Sequence, residues 1–196
     1  MSIIIGLTGP TGSGKSSAGT LAEKFGLKLI DCDKLARQAV EKGSDGLLSV
    51  TNVFGKDILN EDGTLNRKAL ARKAFSCREN TKLLNDTIFP FIRALVLNQT
   101  KTGNILLDAP TLFESGIDKI CHKTIAVLSD KKTRLSRIME RDNISQEDAL
   151  LRMSAGKNDD FYLTNANYII YNNNSETEFL EEFEQVLQQI LKQGET

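Results

Sequence analysis

The chain predicts a three-layer α/β/α fold built on a five-stranded parallel sheet, and three observations predict it. Five short apolar runs, at residues 3–7, 27–30, 104–108, 123–128 and 168–171, are separated by stretches with helical spacing. Strands that alternate with helices in this way form a parallel sheet covered on both faces. The first run leads directly into Gly9-Pro10-Thr11-Gly12-Ser13-Gly14-Lys15-Ser16, a glycine-rich turn that opens a helix.

That turn reads G-x-x-x-x-G-K-S, and its strand-before, helix-after context is that of a phosphate-binding loop. Glycines let the backbone curl until successive N–H groups converge on phosphate oxygens, and the helix N-terminus adds partial positive charge. Lys15 is placed to reach the β- and γ-phosphates, and the Ser16 hydroxyl to ligate Mg²⁺. The motif implies binding of a nucleoside triphosphate and a P-loop NTPase fold.

Each further element has its own signal. A helix from Lys15 to about Phe25 is stopped by Gly26. Leu27-Lys28-Leu29-Ile30 forms the second strand, ending at Asp31-Cys32-Asp33, and a helix runs from Lys34 to about Lys42. Residues 46–103 differ in character: helices over 47–54, 67–75 (capped by Asn66) and 80–101, with an Asp62-Gly63 turn between the first two. Pro90 is expected to break or kink the last of these near Phe89. This block is too long for a simple crossover and reads as an inserted lid or acceptor-binding region, with plain structural packing as the alternative. After the third and fourth strands come a helix over 131–141 and one over 146–157, the latter opened by Ser145 with Asp148 three residues on. A final helix begins at a similar pair, Ser175 and Glu178, and carries Phe179, Phe183, Val186, Leu187, Ile190 and Leu191 on one face. Residues 192–196 read as frayed. The whole is one domain, with a core over about 1–45 and 104–196, the helical insertion over about 46–103 and a lid over about 131–160.

Composition narrows the function classes. At 196 residues, 40% hydrophobic and 26% charged, the chain has the profile of a globular domain with a sizeable core. A net charge of -1 argues against nucleic acid or an anionic membrane as main partner. Cys32, Cys77 and Cys121 are scattered and odd in number, which suits free thiols in a reducing cytoplasm. His122, the single histidine, has no other metal-ligand types around it and reads as a loop or strand-edge residue. No stretch has the length of a membrane span or a leader segment.

Ligands of open parallel sheets bind outside the carboxyl ends of the strands. Three segments deliver chemistry to that edge: the loop after strand one, Asp31 and Asp33 after strand two, and Asp108 at the end of strand three. In an extended segment the spacing of Asp31 and Asp33 points both carboxylates the same way. One could accept a proton from an acceptor hydroxyl while the other holds Mg²⁺; spacing does not assign the roles, and helix capping is the alternative for Asp33. Arg134, Arg137 and Arg141 share a helix face. They read either as lid arginines that meet the transferring phosphoryl group and exclude water or as a solvated face. Asp108 reads either as a Walker-B-type carboxylate or as a strand-end polar residue.

Taken together, these residues resemble the dephospho-CoA kinase family. The resemblance runs from Gly6-Leu7-Thr8-Gly9 through Ser16, then Asp31-Cys32-Asp33-Lys34-Leu35-Ala36-Arg37, then Asp62-Gly63-Thr64-Leu65-Asn66-Arg67 with Leu70. It continues through Pro110, Leu112, Phe113 and Glu114, then Arg137, Arg141 and Asn172. The phosphate loop is shared by many families, whereas the D-x-D-x-x-A-R and D-G-x-L-x-R segments are far more specific. The resemblance implies ATP-dependent phosphorylation of the ribose 3′-hydroxyl of dephospho-coenzyme A, the final step of coenzyme A synthesis. Mg²⁺ is expected at Ser16 and Asp31, with the choice between the two aspartates left open by the sequence. It makes Asp33 the catalytic base and an acceptor contact, with Lys15 and Arg137 also catalytic. Thr11, Gly12, Ser13, Gly14, Lys15, Ser16 and Ser17 lie along the ATP phosphates. Arg137 and Arg141 belong to the lid side, Arg141 and Asn172 contact the nucleotide, Arg37 contacts the acceptor's phosphates, and residues 46–103 become the CoA-binding region. A monomer or weak homo-oligomer in the cytoplasm is expected.

Four positions depart from the family pattern: Phe89 before Pro90 where histidine is usual, Thr111 for leucine, Gly156 where glutamine commonly follows the alanine, and Asn167 for aspartate. They bear on acceptor and lid contacts more than on phosphate handling. The competing readings are another small P-loop kinase, acting on a nucleoside, nucleotide or polyol, and an ATP-dependent switch. A thymidylate kinase would want an Asp-Arg pair after strand three, where this chain has Asp108-Ala109, and a switch needs no base such as Asp33.

Overall fold

The computed structural model describes residues 2–101 and 103–193. In chain order the elements are β1 (Ile4–Thr8), α1 (Ser16–Lys24), β2 (Leu27–Asp31), α2 (Cys32–Gln38), α3 (Asp45–Phe54), α4 (Arg67–Ala74) and α5 (Arg78–Gln99). Then follow β3 (Asn104–Asp108), β4 (Lys123–Leu128), α6 (Lys131–Asp142), α7 (Gln146–Ser154), α8 (Asp159–Asn165), β5 (Tyr168–Tyr171) and α9 (Glu176–Gln193). The chain divides into two compact units, one made of residues 1–30 with 102–196 and the other of residues 31–101.

The first unit is the sheet with its flanking helices. The strands lie in the order β2-β3-β1-β4-β5 in a five-stranded parallel sheet, with Leu7 of β1 opposite Asp108 of β3 and Ile125 of β4. Alternate residues along each strand face opposite ways, and the packing follows that rule. Ile5, Leu7, Ile125 and Val127 pack with Ala18 and Ala22 of α1 and with Phe179, Phe183, Leu187 and Ile190 of α9. Ala126 and Leu128 face the other side and pack with Phe161 and Tyr162 of α8 and with Phe113. The apolar stripe expected on the last helix is therefore core.

His122 sits just ahead of β4 and completes the ladder: its N–H donates to the Ile4 carbonyl at 2.8 Å, and its Nδ1 accepts from the Ile4 N–H at 3.0 Å. One imidazole thus stands in for a backbone carbonyl at the start of the sheet.

The second unit has a core of its own, with Val40, Leu47, Val50, Phe54, Ile58, Leu65, Leu70 and Ala74 buried together. Asp62 accepts from the Thr64 N–H at 2.9 Å and the Thr64 hydroxyl at 2.6 Å, forming the expected turn at Asp62-Gly63. These bonds, the hydroxyl's foremost, hold the Asp62 carboxyl below its ordinary range. Asn66 caps α4 as expected, accepting from the Ala69 N–H at 3.0 Å.

Three expectations need correction. Helix α5 runs unbroken through Pro90. The expected break is absent, and the alternative of a kink at that position stands as an expectation. Both Pro90 and Asp86, one turn earlier, are exposed, while α5 packs on α2, α3 and α4. Helix α2 begins at Cys32 and not at Lys34, because Asp31 caps it. The single helix expected over 146–157 ends at Ser154, and a further helix, α8, follows with Asn158 as its N-cap. The end read as frayed remains helical to Gln193, and residues 194–196 lie outside the described residues.

Phe183 is fully buried between α9 and the sheet. Truncation to alanine removes its ring contacts and leaves a cavity, so Phe183→Ala should cost about 3–5 kcal/mol in urea-induced unfolding; a loss below about 1 kcal/mol would contradict the placement of this face in the core.

Candidate functional site

The loop after β1 is built by its own backbone. Gly12 and Gly14 adopt φ of 83° and 86°, a region that side chains disfavour. Neither has room for a Cβ: at Gly12 it would lie 2.8 Å from the Arg134 carbonyl oxygen, and at Gly14 2.3 Å from Asn172 Nδ2. The Ser13 N–H donates to the Pro10 carbonyl at 3.2 Å. Lys15 is the N-cap of α1, with its Nζ donating to the Gly9 carbonyl at 3.0 Å, so the ammonium joins the two ends of the loop. Thr11 and Ser16 are exposed, Gly12, Gly14, Lys15 and Ser17 are half-buried, and Ser13 is buried. The Ser17 hydroxyl donates back to the Gly14 carbonyl at 3.4 Å.

Behind the loop lies a polar cluster. Asn172, which follows β5 and is buried, donates from Nδ2 to the Ser13 carbonyl at 2.9 Å. The Arg137 guanidinium donates to Asn172 Oδ1 at 3.1 Å, to the Asn172 carbonyl at 3.0 Å, to Ser129 Oγ at 3.1 Å and to the Ser13 carbonyl at 3.4 Å. Ser129 donates to the Asn172 carbonyl at 2.6 Å. Ser129 escaped the sequence reading; a polar residue directly after the buried run of β4 was the signal for it.

The arginines of α6 share a helix face but not a role. Arg134 is buried and donates to Asp159 of α8 at 3.0 Å. Arg137 turns into the cluster behind the loop. Arg141 is exposed and meets Asp142 through Nε at 2.8 Å and a terminal amine at 2.9 Å. Asp142 also pairs with Arg152 of α7. The hydrogen bond from Arg141, the largest cause, holds the Asp142 carboxyl below its ordinary range. A helix read as either a mobile arginine face or a solvated one is seated on the loop at Gly12 and tied to α7 and α8.

In the second unit, Asp31 Oδ1 accepts from the N–H groups of Asp33 at 2.9 Å and Lys34 at 3.1 Å. Asp31, not Asp33, is therefore the helix cap. Because α2 starts at Cys32, Asp33 is already helical, and the extended-segment argument for paired carboxylates does not apply. Asp33 and Arg37 are both exposed and stand one turn apart, a spacing that puts them on the same face of α2. Among the described residues, no group of three or more His, Cys, Asp or Glu side chains is placed to hold a metal ion.

Glu114, in the segment after β3, is a further titratable group. Its Oε2 is buried without a hydrogen bond, and burial holds the carboxyl above its ordinary range. Its charge acts on the neighbouring Tyr162, whose phenol is pushed up to about 12, mainly by burial and then by Glu114.

Comparison with known proteins agrees with the resemblance in the sequence. The family model for dephospho-CoA kinase (CoaE) matches residues 3–178. A dephospho-CoA kinase of Listeria innocua is 39% identical over 177 residues, covering 87% of this chain and 88% of the relative. One from Pseudoalteromonas translucida is 42% identical over 147 residues, covering 74% and 70%. The solved structure of dephospho-CoA kinase from Campylobacter jejuni superposes with a TM-score of 0.70 at 30% identity, covering 99% of this chain and all of that one, 100%.

The buried Glu114 carboxyl generates a pH prediction. A carboxyl whose pKa is raised by folding favours the fold when protonated, and that stability is lost as pH rises through its folded value. Glu114→Gln should therefore raise the thermal midpoint relative to wild type at about pH 7, and the gain should vanish toward about pH 4. Equal midpoints for the two proteins at neutral pH would refute the burial account.

Proposed function

The chain belongs to the dephospho-CoA kinase family, and from that premise we propose that it uses ATP to phosphorylate the ribose 3′-hydroxyl of dephospho-coenzyme A. The products are coenzyme A and ADP, and the reaction is the last step of coenzyme A synthesis. The observation that carries this reading is the glycine loop of residues 9–16 at the carboxyl end of β1, in a chain that matches the family over residues 3–178.

In this reading the loop N–H groups of residues 11–17 and the α1 N-terminus receive the triphosphate, and Lys15 leaves the Gly9 carbonyl to neutralise the β- and γ-oxygens. Asp33 accepts the proton of the 3′-hydroxyl as that oxygen bonds to the γ-phosphorus and the bond to the β–γ bridging oxygen breaks. Arg37, on the same face of α2, meets an acceptor phosphate, and residues 46–103 form the acceptor-binding region. Arg141 serves the nucleotide side once released from Asp142.

The oxygen donors fit a hard divalent cation: Ser16 opens α1 with an exposed hydroxyl, and Asp31 spends one carboxylate oxygen on capping while the other lies 3.6 Å from Lys34. Mg²⁺ bound there would screen the charge that builds on the transferring phosphoryl group. The substrate is a small molecule, and the scattered cysteines suit a reducing cytoplasm. No helix among the described residues is long and apolar enough to cross a membrane.

An acceptor panel tests the reading: ADP release is measured with dephospho-CoA, adenosine, AMP, thymidylate and several polyols, and the product is mapped. Turnover dependent on dephospho-CoA with phosphate on the 3′-oxygen is the expected result. A preference for any other acceptor, or ATP binding without transfer, would overturn it. Asp33→Asn should keep ATP affinity and lower kcat by roughly 10²–10⁴, the range for loss of a general base; near-normal turnover would remove Asp33 from the mechanism.

A further inference from the structure

We propose that Asn172 and Arg137 are positioning residues for the Ser13–Gly14 peptide of the phosphate loop, acting on the nucleotide through that peptide and touching no phosphate themselves. The inference deepens the kinase reading and rests on it in one respect: the loop is taken to hold a triphosphate.

A peptide unit is planar, with its carbonyl and N–H pointing in opposite directions. Pulling the Ser13 carbonyl backward therefore turns the Gly14 N–H forward, into the concave side of the loop. The pull comes from Asn172 Nδ2 at 2.9 Å and from Arg137 at 3.4 Å, while the Ser129 hydroxyl, whose proton goes to the Asn172 carbonyl at 2.6 Å, packs beside them. An oxygen held by the Asn172 amide, with Arg137 as a second, longer donor, cannot rotate into the loop without leaving buried groups unsatisfied, which costs more than a hydrogen bond gains.

Arg137 decides which way the Asn172 amide faces. Its terminal amine donates to Asn172 Oδ1 at 3.1 Å, which leaves Nδ2 for Ser13. The reversed amide would set oxygen against the Ser13 oxygen and NH₂ against a guanidinium. The cation also polarises the amide and strengthens the bond beyond it. The Asn172 backbone is fixed as well, its N–H donating to the Leu128 carbonyl at 2.8 Å. The absent side chain of Gly14 completes the fit, because a Cβ there would lie 2.3 Å from Nδ2. Loss of Asn172 should thus disturb the loop whatever is attached to the phosphates.

The discriminating probe is inorganic tripolyphosphate with Mg²⁺, which has phosphates but no base or ribose, titrated beside ATP by calorimetry. Asn172→Ala should weaken both ligands by the same factor, about tenfold, the scale of one buried hydrogen bond. Loss for ATP alone would mean a contact to the nucleoside and would overturn the proposal. Arg137→Gln should also weaken both, and the Asn172→Ala, Arg137→Gln double variant should bind no more weakly than Asn172→Ala alone, because the two residues act as one chain. An additive loss would make Arg137 a direct phosphate ligand and defeat the proposal.

If Asn172→Ala does not fold, judged by its melting curve, Asn172→Ser takes its place in the same cycle. A ligand-free readout accompanies the titrations: the Gly14 amide resonance should shift in both single variants and stay fixed in Arg152→Ala, and an unmoved Gly14 signal in the first two would refute the proposal. Wild-type turnover on dephospho-CoA is measured separately. An enzyme that binds tripolyphosphate but transfers nothing would retire the kinase reading while the double-variant cycle still decides the positioning role.

Discussion

A loop that offers N–H groups to phosphate must turn its carbonyls the other way, and those carbonyls then need donors on the protein side. Much of the first unit is arranged around that requirement at Ser13. The polar groups behind it come from three places: Arg137 on α6 and Asn172 after β5 donate to the oxygen, and Ser129 after β4 holds the Asn172 carbonyl. They can converge because the sheet order sets β4 directly beside β1 and β5 beside β4. The parallel register therefore does more than bury apolar strands. It brings three carboxyl ends together, so that one oxygen is satisfied from sequence positions more than a hundred residues away.

The same convergence explains how α6 is used. A helix with arginines at three- and four-residue spacing could have been a free cationic surface. Here its N-terminal half is pressed against the loop at Gly12, where glycine alone leaves room for the Arg134 carbonyl. Arg134 ties the helix to α8, Arg137 ties it to the loop, and only Arg141, held by Asp142, remains at the surface. Motion of this region would have to come from its distal end, where exposed ion pairs are weak, not from the part behind the phosphates.

The strands and the loop were legible because their signals are local: apolar runs of four to six residues bounded by turn residues, and glycines at positions that require positive φ. The last three strands match the sequence reading residue for residue. Capping was legible where one side chain meets one N–H, as at Asn66 and Ser145. What escaped was set by packing or by distant partners. Pro90 announces a break, but α5 is held by three other helices. Asn158 followed by two aspartates marks the start of α8, yet a longer helix before it masked the signal. Asp31 and Asp33 looked equivalent in spacing, and only the backbone decides that the first caps the helix and the second is carried into it. Ser129 is marked only as a polar residue after a buried strand, and its role exists only when β4 and β5 lie side by side.

The departures from the family pattern acquire meaning in the same way. Asn167 stands where aspartate is common, and its Oδ1 accepts from the Thr124 N–H at 2.9 Å and hydroxyl at 3.1 Å. An aspartate oxygen could accept the same two bonds, so the replacement keeps the bracket between β4 and the approach to β5 while removing a charge from an exposed position. Thr111 gives only its carbonyl to the Ser115 hydroxyl, at 2.7 Å, a bond that any residue there could make. Phe89 lies on α5 in the unit that has its own core, and Gly156 follows α7 just past its C-terminus. Two of the four therefore sit where the hydrogen bond made in this chain does not depend on the side chain that differs. None belongs to the group around Ser13, whose members constrain one another, so that a change in one would leave a buried partner unsatisfied.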